Sequence, residues 1–157
     1  MKLRDIITER VSITQGAQGK ELDYLQDAAD LLAKQLGVSD KNIVVSFDPP
    51  YDLDSTQTGV TIGLGKNPNK IFVMVDKGLS MGEKVLTLCH EMVHVQQLAS
   101  GRLVFAELKD GKVSGEWEGD KFDNIKYSRR NPWEVEAHTK DKQLRDFVLK
   151  KLGNFKG

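Results

Sequence analysis

The stretch from Met81 to Ala99 constrains this chain more than any other. Ser80 precedes it, Glu83 follows at capping-box spacing, and Gly101 stands just past its end, so the sequence predicts one long helix. Val85, Leu86, Leu88, Cys89, Met92, Val93 and Val95 make the middle of that helix apolar nearly all round. Such a helix has no solvent face and must be buried. The rest of the chain has to cover it on several sides.

That same helix carries "HEMVH": His90, Glu91 and His94, an H-E-x-x-H pattern. Residues i and i+4 are neighbours on one helical face, so both imidazoles can point at one ion. The bland reading is a histidine pair on a wet surface. It fits poorly, because two of only three histidines fall in register on an otherwise apolar helix. Buried imidazoles cost free energy unless they meet a partner. The expected partner is Zn2+, which two imidazoles and a carboxylate suit well. Glu91 lies about 100° round the helix from His90, at the edge of the ligand face. It is placed to act on a zinc-activated water without binding the zinc. Zinc lowers the pKa of such a water to about 7, and a carboxylate can accept its proton and then pass it to a leaving amine.

A catalytic zinc keeps three protein ligands and one open position. His138 is one candidate for the third. Glu107, Glu116, Glu118, Glu134, Glu136 and Asp141 are the acidic ones.

The surrounding elements are legible in outline. Leu3, Ile6, Ile7, Arg10 and Val11 have helical spacing in a short segment. Leu22, Leu25, Ala29, Leu32 and Leu36 mark one face of a helix over 21–36, which Gly37 stops. "NIVVSF", Asn42 to Phe47, reads as a strand. "DPPYDLDSTQT" is expected to be irregular, since Pro49 and Pro50 lack amide donors. "GVTIGL" and "KIFVMV" flank a Gly/Asn/Pro turn, a hairpin signal over Gly59 to Val75. "RLVFAEL" and "KVSGEW" flank "KDG", a second hairpin. Gly119 to Arg130 is polar and is read as irregular. The last helix starts at "NPWEVEA", with Asn131 as N-cap and Pro132 in the first turn, and runs through Leu144, Phe147 and Val148 to Leu152 before Gly153. No repeat, low-complexity tract or linker interrupts the chain, so residues 1–157 are read as a single domain.

"HEMVH" followed after a hairpin by "NPWEVEAH" resembles the gluzincin arrangement of zinc metallopeptidases. The resemblance covers His90 to Lys142, about a third of the chain. It implies a zincin-like α+β fold: a small twisted, mostly antiparallel sheet packed on the buried active-site helix, with a C-terminal helix bearing the third ligand. In that family this ligand is a glutamate in E-x-x-A-D or E-x-x-A-N. Aligned on Ala137, Glu134 takes the ligand position, Glu136 points elsewhere, and His138 stands where an acid is usual. The region is also similar to small metallopeptidase-like proteins of phages and bacteria, through "WEG" at Trp117 and a tyrosine, Tyr127, ahead of "PWEVEA". His138 departs from the pattern, which leaves open a His90/His94/His138 ligand set or an oxyanion-donor role. Asp141, on the face of Glu134, is the expected carboxylate behind a histidine ligand.

Other residues have competing readings. Tyr127 is a candidate oxyanion donor, because a phenol is a good neutral donor, or a half-buried structural tyrosine. Trp117 and Trp133 line a pocket or fill the core. Cys89 reads as a buried thiol, Arg129 and Arg130 as a solvated pair, and Gln97 as a hydrogen-bonding neighbour of His94. One strand of the Gly59–Val75 hairpin is expected to flank the active-site helix and offer its edge to an extended peptide.

Composition narrows the field. Lysine plus arginine and aspartate plus glutamate number 23 each, a balance that argues against general nucleic-acid or anionic-membrane binding. A single cysteine allows no intrachain disulfide. "MKLRDIITERVSITQ" lacks the apolar core of a signal peptide, and no run of about 18 apolar residues exists, so a cytoplasmic protein is expected. The function expected is zinc-dependent peptide-bond hydrolysis. Its rivals are a non-catalytic zincin-fold binding module, a regulatory protease for one protein partner, and a hydrolase of another amide such as a cell-wall peptide.

Overall fold

The computed structural model describes residues 11–47, 57–108 and 110–157. The N-terminal helical spacing up to Arg10, most of "DPPYDLDSTQT", and Lys109 of the "KDG" turn lie outside the described residues. Those described form a mixed α+β architecture of three helices and two sheets.

Strand β1 (Ser12–Gln15) leads into helix α1 (Gly19–Gln35) and then β2 (Asn42–Ser46). Strands β3 (Gly59–Ile62) and β4 (Lys70–Val75) follow, then helix α2 (Met81–Ala99). Strands β5 (Leu103–Glu107), β6 (Val113–Trp117) and β7 (Asp120–Phe122) precede the final helix α3 (Pro132–Leu152).

Helix α2 has the predicted bounds and the predicted capping box: Ser80 Oγ accepts from the Glu83 amide, and the Glu83 side chain accepts from the Ser80 amide. Its apolar girth has the expected consequence, since Leu88, Cys89, Met92, Val93 and Val95 are all fully buried. Helix α1 lays Leu25, Ala28, Ala29 and Leu32 on the same core, and α3 adds Ala137, Leu144 and Val148.

The four-stranded sheet has the order β1-β2-β4-β3. Here the expectation of a mostly antiparallel sheet on the helix is corrected. β1 pairs with β2 and β2 with β4 in parallel, and only β3 with β4 is antiparallel. The physical reason is the crossover: α1 carries the chain back across the sheet between β1 and β2, which forces a parallel pair. The second sheet, β5-β6-β7, is wholly antiparallel. Its third strand, β7, falls inside the Gly119–Arg130 stretch read as irregular.

The Gly59–Val75 hairpin forms as expected, and β3 rather than β4 is the outer strand. Among the described residues no strand pairs with its outer side. No helix of the described residues is long and apolar enough to cross a membrane.

Candidate metal centre

Helix geometry puts His90 and His94 one turn apart on α2, and α3 packs against that helix. Pro132 starts α3, and the Asn131 carbonyl accepts from the Glu134 and Val135 amides. The Asn131 side chain does not cap the helix; it donates instead to the Lys126 carbonyl. Glu134, in the first turn, therefore faces both histidines. Its Oε2 lies 3.0 Å from His90 Nε2 and its Oε1 lies 3.0 Å from His94 Nε2.

The far side of each imidazole is also held. Asp141 Oδ2 is 3.3 Å from His90 Nδ1, and Gln97 Oε1 is 2.8 Å from His94 Nδ1. Gln97 Nε2 donates to the Trp133 carbonyl and to Glu136 Oε1, so its oxygen faces His94 as an acceptor. His94 Nδ1 must then be the donor. A neutral His94 would present a bare Nε2 lone pair to a carboxylate oxygen. Only a proton or a cation between them makes that contact favourable.

The electrostatics express the same conflict. Burial pulls the His94 imidazole down, but its hydrogen bond to Glu134 and the charges of Glu91 and Glu134 reverse this and raise it to about 9. His90 is raised by the same balance: burial lowers it, and Glu134 and Glu91 outweigh that. Burial pushes Glu134 up, and the two imidazoles more than compensate, holding it at about 2.

Glu91 stands beside this trio, buried at 4% exposure, and burial raises its pKa. Thr61 Oγ1 donates to Glu91 Oε2 and to the Glu91 carbonyl. Sequence reasoning missed Thr61, for the hairpin gave its place in a strand but not its partner on the helix.

His138 does not join the donors facing Glu134. Its Nδ1 is 3.5 Å from Asp141 Oδ2, its ring lies tilted against that of His90 with centroids 4.4 Å apart, and Arg129 Nε approaches its Nε2 at 3.5 Å. Among the described residues, two overlapping groups place donor atoms close enough to share a metal ion: His90, Glu91 and His94, and His90, His138 and Asp141. The Asp141 Oδ1 atom is buried with no hydrogen-bond partner. Glu134 is in neither group, yet its carboxylate oxygens contact both imidazoles of the first.

The remaining candidates fall into place around the centre. Cys89 is fully buried, and burial followed by the Asp141 charge pushes its thiol up to about 12, so it is inert. Trp133 is core, edge-on to Phe105 and Phe122. Trp117 lies under the Arg102 guanidinium at 4.8 Å. Glu136 points away from the centre, to Arg102.

A cleft of about 1310 Å³ opens over the donors. On one side it is walled by β3 with Leu64, and on the other by Phe105, Ile125 and Tyr127, with His138 and Arg129 at the rim. Tyr127 is 47% exposed in this wall. Small-molecule pockets span about 300–1,000 Å³, so this cleft is larger than most of them. No family model matches the chain, and neither a curated protein nor a solved structure resembles it significantly.

Proposed function

We propose that this chain is a zincin-like, zinc-dependent peptidase in which His90, His94 and Glu134 hold the metal and Glu91 is the general base. The observation that carries the reading is the meeting of His90 Nε2 and His94 Nε2 on the Glu134 carboxylate, with a buried Glu91 beside them at the floor of an open cleft. The donor set fits the ion. Tetrahedral zinc with bonds of about 2.0–2.1 Å sets its donor atoms about 3.3 Å apart, close to the 3.0 Å spacing here. Two imidazoles and one carboxylate leave a position for water, which a fully protein-ligated structural site does not.

Bound zinc supplies the acidity that activates a water and the positive charge that steadies a carbonyl oxygen as it turns anionic. The chain's own groups do the rest. Glu91 takes a proton from the attacking water and later delivers it to the departing amine, so that water's OH ends on the carbonyl carbon and its hydrogen on nitrogen. Thr61 fixes one oxygen of Glu91 and leaves the other for that proton. Tyr127 donates its hydroxyl to the carbonyl oxygen. The outer edge of β3 binds the peptide backbone by strand addition. The substrate is an extended peptide or a protein segment.

The test is to incubate zinc-loaded protein with a mixture of unstructured peptides and read new termini by mass spectrometry. Cleavage is expected with the wild type and is expected to fall about 10²–10⁴-fold in Glu91→Gln at unchanged zinc content. Cleavage that persists undiminished in Glu91→Gln removes the general-base assignment.

A further inference from the structure

Gln97 has no part in the chemistry above, yet it is fully buried and every one of its polar groups is used. Its Oε1 accepts from His94 Nδ1, and its two amide hydrogens go to the Trp133 carbonyl at 3.0 Å and Glu136 Oε1 at 3.1 Å. A reversed amide would set its oxygen against two acceptors, so the orientation is forced from behind.

Glu136 is itself gripped. Arg102 Nη1 donates to its Oε1 at 2.9 Å and Arg102 Nη2 to its Oε2 at 2.5 Å, a bidentate pair. Arg102 is held in turn by Glu118 Oε1 at 2.7 Å and by the face of Trp117. The chain of contacts runs from the β6–β7 turn, through the start of β5 and the first turns of α3, to the imidazole at the centre.

We infer that Gln97 is a positioning residue, braced by Glu136 and Arg102, that fixes His94 as the Nδ1–H tautomer and so keeps its Nε2 as the metal-facing atom. The part concerning metal rests on the reading of the centre proposed above; the part concerning the tautomer does not. Each link has a defined consequence. Without Gln97 the imidazole is free to carry its proton on Nε2, where it blocks a metal bond. Without Arg102, Glu136 no longer holds the Gln97 amide in one orientation, and the loss is smaller but has the same direction.

Two measurements on the full chain test this. The first is the imidazole ¹⁵N spectrum of the metal-free protein, recorded above the pH at which His94 loses its charge. The wild type is expected to show the Nδ1–H tautomer at His94, and Gln97→Met a shift toward Nε2–H. The second is Zn2+ affinity by chelator competition. Gln97→Met is expected to weaken binding about 10–100-fold, the range for outer-shell partners of ligating histidines. Glu136→Gln and Arg102→Met, both part-exposed and so tolerable to the fold, are expected to weaken it less. Arg102→Met added to Gln97→Met is expected to cost nothing further, because the brace acts only through Gln97. An Nε2–H tautomer in the wild type, or an unchanged tautomer in Gln97→Met, overturns the inference. Wild-type zinc affinity in Gln97→Met, alongside loss of zinc in His94→Ala, overturns it too while sparing the metal reading. If the wild type itself takes up no zinc, the metal reading fails, and the tautomer spectra still decide the brace.

Discussion

Thr61 and Glu91 join the outer strand to the histidine-bearing helix: the threonine hydroxyl on β3 donates to a carboxylate oxygen on α2. The bond favours the charged form of a group that burial otherwise pushes toward neutrality. Thr61→Val removes the donor and keeps the shape. Hydrogen bonds to charged groups contribute about 1.5–3 kcal/mol, or about one to two pKa units. The acidic limb of the pH–rate profile for peptide cleavage is therefore expected to move up by that amount, with zinc content unchanged. A limb that stays in place would detach Thr61 from the base.

Metal content separates the two ligand sets left open by the sequence. His90→Ala, His94→Ala and Glu134→Ala are expected to lose stoichiometric zinc in elemental analysis, and His138→Ala to retain it. Asp141→Asn is expected to weaken zinc binding about 10–100-fold, because Asp141 holds His90 at Nδ1, the ring nitrogen away from Glu134. Loss of zinc from His138→Ala with retention in Glu134→Ala would exchange the roles of the two residues.

The metal-free protein should be most stable in mildly acidic solution. His94 has a raised pKa of about 9, so its contribution is full below its unfolded value of about 6.5 and is lost as pH rises through 9. His90 and Glu91, both raised, act in the same sense. Glu134, held at about 2, contributes above its unfolded value of 4.5 and is lost as pH falls toward 2. Thermal melts of metal-free protein are expected to peak between about pH 4.5 and 6.5. Zinc replaces the extra proton on each imidazole, so the gap between zinc-loaded and metal-free melting temperatures should widen from pH 6.5 to 9. A metal-free melting temperature that is flat over that range contradicts the protonated cluster.

Two glycines should answer to alanine in opposite ways. A Cβ on Gly59 would stand 2.7 Å from Thr87 Cγ2 and 3.0 Å from Glu91 Cγ. Thr87 is β-branched and stiff on its helix, so β3 must shift away from α2. Gly59→Ala is expected to cost about 1–3 kcal/mol in denaturant unfolding and to lower peptidase activity through Glu91. Gly82 meets nothing within 4 Å in the first turn of α2, and Gly82→Ala is expected to stabilise by up to about 1 kcal/mol. Equal effects from the two substitutions would count against the close approach.

Features governed by short-range periodicity were legible in the sequence. Helix α2, its cap Ser80 and its i, i+4 histidines needed nothing outside residues 80–101. Asp141, two turns beyond Glu134, was placed by the same rule, as was Gln97 beside His94. What stayed hidden depends on chain crossings. Strand β1 has four residues, three of them exposed, and gives no alternation to read, so its parallel pairing with β2 stayed hidden. The three residues of β7 are equally silent until they meet β6. Thr61, thirty positions before Glu91, and Arg102, thirty-four before Glu136, carry no pattern that names their partners. Glu136 was read as pointing elsewhere, which is true of its carboxylate but conceals its tie to Gln97.

The shortness of β3 has its own consequence. Four residues at about 3.3 Å each offer a run of roughly 13 Å, and only alternate residues turn their amide and carbonyl outward. A guest strand laid there gains few main-chain bonds, too few to hold it firmly without help. Discrimination among guests must then come from the walls farther out, where Leu64, Phe105 and Ile125 offer apolar contact to whatever side chains project from it. On the peptidase reading proposed above, such a footprint reads a few consecutive side chains rather than a long stretch of sequence.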